Sequence, residues 1–318
     1  MTTEFLLLTS VNATVRFSLY LWGLGTSGQL GNNTVITKSS PIQVGALSGW
    51  AKVVAGSDSC LAVKTDGTLW AWGGNGSGQL GDNTLISKSS PIQIGALSNW
   101  AQVSGGNGYC LAVKTDGTLW SWGSGASGGL GDNTVINKSS PIQIGALSNW
   151  SQVSLGQNFS VAVKTDGTLW SWGSNATFGQ LGDNTVINKS SPIQIGALSN
   201  WSQVSAGQRS SVAVKTDGTL WAWGYGGLGQ LGDNTAITKS SPIQIGALSN
   251  WAQVSAGLRS SVAVKTDGTL WAWGNATFGQ LGDNTRITKS SPIQIGALTN
   301  WRLAITGSLS FHVGALST

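Results

Sequence analysis

Residues 61–73 read Leu61-Ala-Val-Lys-Thr-Asp-Gly-Thr-Leu-Trp-Ala-Trp-Gly73. Two short β-prone runs flank Asp66-Gly67, a strong hairpin signal, and the pair predicts a type I′ turn with φ > 0 at both central residues. Trp70 and Trp72 are two apart, so they share one face of the return strand. That arm recurs from Leu119, Leu169, Leu220 and Leu270, with a worn first copy at Leu19-Tyr-Leu-Trp-Gly23. The steps between copies are 50, 50, 50, 51 and 50 residues. A fixed period of this size means a solenoid, propeller or array of like units.

Outward from the hairpin, Gly78-Gln-Leu-Gly-Asp-Asn83 leads to Pro91-Ile-Gln-Ile94 and then Trp100-Ala-Gln-Val103. No segment sustains helical periodicity. About four short strands per repeat suit a propeller blade. The predicted fold is all-β: a single β-propeller of six blades, with seven as the alternative. Residues 1–18 are read as an N-terminal segment with a closing or extra strand, and 19–318 as the six-repeat propeller. The last copy stops after Ser310-Phe-His-Val313, and the first begins at the strand that would follow. Pairing of the C-terminal strand with Phe17 to Trp22 is therefore expected to close the ring and remove an open edge.

The 17 tryptophans fall at three repeat positions, represented by Trp70, Trp72 and Trp100. A blade cannot bury its faces alone, so these rings are expected between blades. At ~150–250 Å² each and ~25 cal/mol per Å², they dominate the packing. An aromatic platform for sugars or bases is the competing reading, disfavoured because every copy keeps the rings whatever its loops.

Only 9% of residues are charged, against about 25% in ordinary globular chains. The net charge of +5 is diffuse. Lysines at the Lys64 and Lys88 positions and aspartates at the Asp66 and Asp82 positions largely cancel within each repeat, and no Lys/Arg run exists to track a phosphate backbone, so nucleic acid is not an expected partner. Phe5-Leu-Leu-Leu8 is too short for a signal core and follows Glu4, and no run is long enough to span a bilayer. Cys60 and Cys110 occupy equivalent positions in successive repeats and read as small core residues, too far apart for a disulfide.

Catalytic chemistry is not expected. The single histidine, His312, lies in the worn last copy, and Glu4 is the only glutamate. No cluster has metal-ligand spacing, and one carboxylate per Gly-Asp-Asn-Thr is too few for a calcium cage. Those aspartates read as turn caps. Sequons such as Asn175-Ala-Thr177 carry little weight without a secretory signal. No cofactor is expected.

Trp-x-Trp-Gly, Gly-Gln-Leu-Gly-Asp, Pro-Ile-Gln-Ile, Val-x-x-Gly and Ala-Val-Lys-Thr-Asp-Gly together resemble the regulator of chromosome condensation repeat. The resemblance covers residues 19–318 and implies a β-propeller. The near-identical copies look more like bacterial and tailed-phage members than the eukaryotic exchange factor. That protein has seven blades, and a His where this chain reads Ser59, Tyr109, Phe159, Ser210, Ser260 and Ser310. Its exchange activity uses a wedge inserted in a blade, and its chromatin contact uses a basic N-terminal tail. Even 50-residue steps leave no wedge, and the N-terminal segment carries one base, Arg16. Exchange-factor activity is therefore not expected.

Variation among copies gathers in two loops: the one before the Ala-Val strand and the one after Trp-Gly. Both flank one hairpin at the end away from the Asp-Gly turn, so antiparallel geometry puts them on one face. Loops carry recognition while a scaffold stays fixed. The candidate partner-binding residues are Asp58, Tyr109, Asn158, Phe159, Arg209, Tyr225 and Arg259, with Phe178 and Phe278 weaker because that position packs in the family. The functional expectation is a non-enzymatic structural or recognition module, surface-exposed in a virion or on a bacterium. Its expected partners are a protein or surface glycan, with other structural proteins or copies of itself foremost. The alternative is a cytoplasmic protein-interaction scaffold without exchange activity.

Overall fold

The computed structural model describes residues 18–307 and 313–317. The chain is all-β and built from repeated blades of the propeller type. β1 (Ser18–Gly23) and β2 (Lys38–Ser48) form a two-stranded sheet. β3 (Trp50–Ala55), β4 (Ser59–Lys64), β5 (Leu69–Gly73) and β6 (Lys88–Gln93) form the first complete blade, antiparallel and in chain order. The same order recurs in β7 (Trp100–Gly105), β8 (Tyr109–Lys114), β9 (Leu119–Gly123) and β10 (Lys138–Gln143). It recurs again in β11 (Trp150–Leu155), β12 (Phe159–Lys164), β13 (Leu169–Gly173) and β14 (Lys189–Gln194). Two more blades follow: β15 (Trp201–Ala206), β16 (Ser210–Lys215), β17 (Leu220–Gly224) and β18 (Lys239–Gln244), then β19 (Trp251–Ala256), β20 (Ser260–Lys265), β21 (Leu270–Gly274) and β22 (Lys289–Gln294). β23 (Trp301–Thr306) pairs with β24 (Val313–Ser317).

By repeat position, β23 and β24 are the first two strand types of a blade, and β1 and β2 the last two. β1 pairs with β2, and β24 with β23. Val313-Gly-Ala-Leu-Ser317 takes its register from Trp301 to Thr306. Phe5 to Leu8, Arg16, Phe17 and His312 lie outside the described residues.

The hairpin turn also differs from expectation. Only Gly67 of the Asp-Gly pair has a positive φ, +77°. Gly67 N donates to Lys64 O and Lys64 N to Thr68 O. This is a type I turn with a glycine bulge, the three-residue solution to a hairpin. Asp66 settles it: its carboxylate accepts from Thr68 N (3.0 Å) and Thr68 Oγ1 (2.6 Å), an Asx turn. A Cβ on Gly67 would also lie 2.1 Å from Ser98 O.

Contacts divide the chain into two compact units, residues 1–153 and 154–318. In the first, Leu61, Val63, Leu69 and Ala71 of one blade pack against Trp100, Val103, Ala112 and Trp122 of the next. Trp122 is fully buried and its Nε1 donates to Gln79 O of the preceding repeat at 2.9 Å; Trp72 reaches Gln29 O likewise. In the second, Val212, Leu220 and Ala222 meet Trp251, Ala263 and Trp273, and Trp273 Nε1 reaches Gln230 O at 2.9 Å. The tryptophans are thus inter-blade core. Cys60 and Cys110 are buried free thiols, and burial pushes the Cys60 thiol up to about 12.

The second tryptophan position forms a further layer. Trp120 meets Trp100 edge-on at 5.9 Å. Lys114 Nζ lies 4.8 Å from the Trp100 centroid and 3.7 Å from that of Trp120. The repeat lysine is therefore a nearly buried cation on aromatic faces, not the exposed partner of Asp116 that charge counting suggests.

Edges are managed at both sides of the blades. All six prolines, Pro41, Pro91, Pro141, Pro192, Pro242 and Pro292, lie in the fourth strand type, an edge where a missing N–H costs nothing and pairing by strangers is blocked. At the opposite edge of the second unit, side chains of one first strand satisfy the next. Gln203 Oε1 accepts from Val254 N and Ser205 Oγ from Ala256 N, each at 3.0 Å. Gln253 Oε1 accepts from Ala304 N at 2.8 Å, and its Nε2 donates to Ala304 O at 2.7 Å. This explains the Gln-Val-Ser that the four middle copies of the repeat share.

Candidate functional site: the variable loop face

The two variable loops of each blade touch. Gly74 N donates to Asp58 O at 2.8 Å, Ser174 N to Asn158 O at 2.8 Å and Tyr225 N to Arg209 O at 2.8 Å. The second loop has a rigid base. Asn175 is buried; its Nδ2 donates to Asp183 Oδ1 (2.9 Å) and Thr185 O (3.0 Å), and its Oδ1 accepts from Leu181 N. The sequon at Asn175 is therefore a loop-tying device with no accessible amide. Asp183 in turn accepts from Thr185 N and Oγ1, as turn capping predicts. Gly78 lets this loop approach the next blade: a Cβ there would lie 2.6 Å from Ser139 Cα.

On this base the candidate residues separate. Tyr109 (2% exposed) and Phe159 (fully buried) are core side chains, which corrects their assignment as partner contacts. Each opens its β-strand facing the blade interior, where the repeat elsewhere places Ser59, Ser210 and Ser260. Variation at that position trades core volume, not surface chemistry. Asp58 is half-buried and ties loops, accepting from Ser57 Oγ and Gln79 Nε2, both at 3.3 Å. Asn158 is half-buried. Arg209 and Arg259 are exposed.

Three residues of the second unit come together. The Arg209 guanidinium lies 4.9 Å from the Phe178 centroid, and Phe178 meets Tyr225 edge-on at 4.9 Å. Phe178 belongs to one blade's second loop; Arg209 and Tyr225 belong to the next blade's two loops. Phe178, ranked below the others in the sequence, is the centre of the cluster. The signal for it was the chain's single inserted residue, which falls in that loop. An exposed cation held on an aromatic pair suits a carboxylate beside an apolar or sugar-ring face.

A small cleft lies in the first unit, lined by Leu21, Trp22, Leu24, Gln29, Ser57, Asp58 and Cys60 among others. Trp22 is 38% exposed, whereas its repeat equivalents are fully buried. Sequence reasoning missed this cleft, although the worn first copy, with Tyr20 in place of a tryptophan, was its signal. Among the described residues no three His, Cys, Asp or Glu side chains group as metal ligands. No helix is long and apolar enough to cross a membrane.

The model of the RCC1-like domain matches residues 12–317. The chain belongs to the RCC1-like domain family. Among solved structures, human WBSCR16 is similar at a TM-score of 0.82 and 22% identity, over 94% of this chain and 81% of that one. Yeast RCC1 (Prp20), solved bound to Kap60, is similar at 0.57 and 19%, over 94% and 88%. Prp20p from Saccharomyces cerevisiae, described with its binding properties to Gsp1p and histones, is similar at 0.57 and 19%, over 94% and 91%. At such identities the likeness establishes the RCC1-like fold. No curated protein sequence matches the chain.

Proposed function

We propose that this RCC1-like chain is a non-enzymatic recognition module that engages a partner through its variable loop face. The Arg209–Phe178–Tyr225 cluster carries the reading: three variable residues from two adjacent blades bring an exposed guanidinium onto half-buried aromatic rings. Arg259, exposed at the equivalent position one blade on, extends the positive character. A carboxylate-bearing protein or acidic surface glycan fits this chemistry. The low charge and near-identical copies favour a surface-exposed setting, virion or bacterial, over a cytoplasmic scaffold.

A binding array of acidic and neutral glycans and peptides, probed with wild type and the Arg209→Ala, Tyr225→Ala and Arg259→Ala variants, tests the proposal. Selective binding of acidic ligands, weakened by roughly tenfold or more in the variants, is expected. Equal binding by all four proteins sinks it.

A further inference from the structure

The loop entering the fourth strand of each blade carries a feature that folding does not use. In the first unit it presents Val35-Ile36, Leu85-Ile86 and Val135-Ile136, each side chain 58–66% exposed. These pairs are held out firmly. Asp82 accepts from Thr84 N and Oγ1, and Asn75 Nδ2 donates to both Thr84 O and Ile86 O. Successive loops are clasped to the next blade: Asn33 N donates to Ser89 O at 2.7 Å and Asn83 N to Ser139 O at 2.8 Å. Repeat equivalence therefore sets three aliphatic pairs at one-blade intervals along one end of this unit.

Six side chains at on the order of 80 Å² of exposed apolar surface each amount to roughly 500 Å², the upper range for the largest patch of a monomer. A stable interface buries ~800 Å² per partner, so the three pairs supply more than half of that area and the polar loops between them would supply the rest. Two of the three neighbouring lysines are neutralised locally, Lys88 by Asp82 at 3.5 Å and Lys138 by Asp132 at 3.3 Å, which leaves Lys38 as the rim's one lysine without such a pair among the described residues and limits like-charge repulsion between identical surfaces. A row of pairs at fixed spacing is matched by the same row turned about a two-fold axis.

We infer that the aliphatic rim Val35-Ile36, Leu85-Ile86 and Val135-Ile136 is a self-association surface that pairs with the same rim of a second copy. This goes beyond the Arg209 cluster, which shares no residue with it. Sedimentation velocity of the full chain from about 1 to about 100 μM is the test. A monomer–dimer equilibrium is expected, with the dissociation constant raised at least ~10-fold in Ile36→Asn/Ile86→Asn/Ile136→Asn. Leu97→Asn and Leu147→Asn, at the opposite end of the blades, and Arg209→Ala are expected to dimerise like wild type. Should the triple variant lose its β-sheet circular dichroism, Ile86→Asn alone decides by the same measurement. A wild type that stays monomeric, or a dimer indifferent to the rim, overturns the inference. So does a monomer that binds phosphatidylcholine vesicles through the rim.

Discussion

At the residue scale, most constant polar side chains do structural work that a sequence shows only as repetition. Asn175 bonds with its full side chain inside a loop. Asn175→Ala strands the Leu181 amide and is expected to cost about 1–3 kcal/mol, read as a lower thermal midpoint. Trp223 donates to Gln180 O at 2.9 Å; Trp223→Phe leaves that buried carbonyl unpaired and some volume empty, a loss of about 1–3 kcal/mol by chemical denaturation. Arg209→Ala, by contrast, removes an exposed side chain and is expected to move stability by less than about 0.5 kcal/mol. That difference separates scaffold from recognition residues. Tyr109 and Phe159 show the limit of reading surface from variability: they vary between copies, yet they are buried. Sequence marks a position as free to change, and only packing says whether a core or a partner accommodates the change.

At the element scale, Asp-Gly announced the hairpin but not its geometry. A two-residue I′ loop and a three-residue type I loop with a bulge both use glycine at positive φ. The choice fell to Thr68, whose amide and hydroxyl bond Asp66 while the hydroxyl accepts from Trp70 Nε1 at 2.9 Å. Gly167→Ala puts a Cβ 2.2 Å from Ser199 O at φ +77°, and a cost of more than about 1 kcal/mol in thermal unfolding is expected. These turns also set an acid limit. Thr118 bonds first, and Lys114 secondarily, hold Asp116 below the usual carboxylate range; Asp66, Asp166, Asp217 and Asp267 are lowered in the same way by their own threonines. At Asp82 burial opposes the charge, but Thr84, Asn75 and Lys88 outweigh it. Each such carboxylate adds stability that is present above its unfolded pKa, near 4, and lost as pH falls through the lower folded value. The thermal midpoint is therefore expected to fall steadily below about pH 4, and a midpoint unchanged down to pH 2 contradicts the turn assignment.

At the scale of the whole molecule, the first-strand edges of the second unit are sealed by glutamine and serine from the preceding blade, and the outer edges carry proline. Gln253→Leu, the residue that the last copy carries naturally as Leu303, removes both bonds to Ala304 and is expected to cost about 1–3 kcal/mol in the unfolding midpoint. Buried lysines act in the alkaline range. Burial lowers the pKa of Lys114, Lys164, Lys215 and Lys265, so the folded state releases protons first and stability rises with pH just below the ordinary lysine value. The amino-acid sequence by itself determined the number and period of the repeats, the strand types, the tryptophan core and membership of the RCC1-like family, because period and alternation are local properties written in every copy. Tertiary structure alone decided which variable positions reach solvent and that Phe178 joins Arg209 and Tyr225 across a blade boundary. Those outcomes depend on contacts between repeats, and nearly identical repeats offer the same local code to every neighbour.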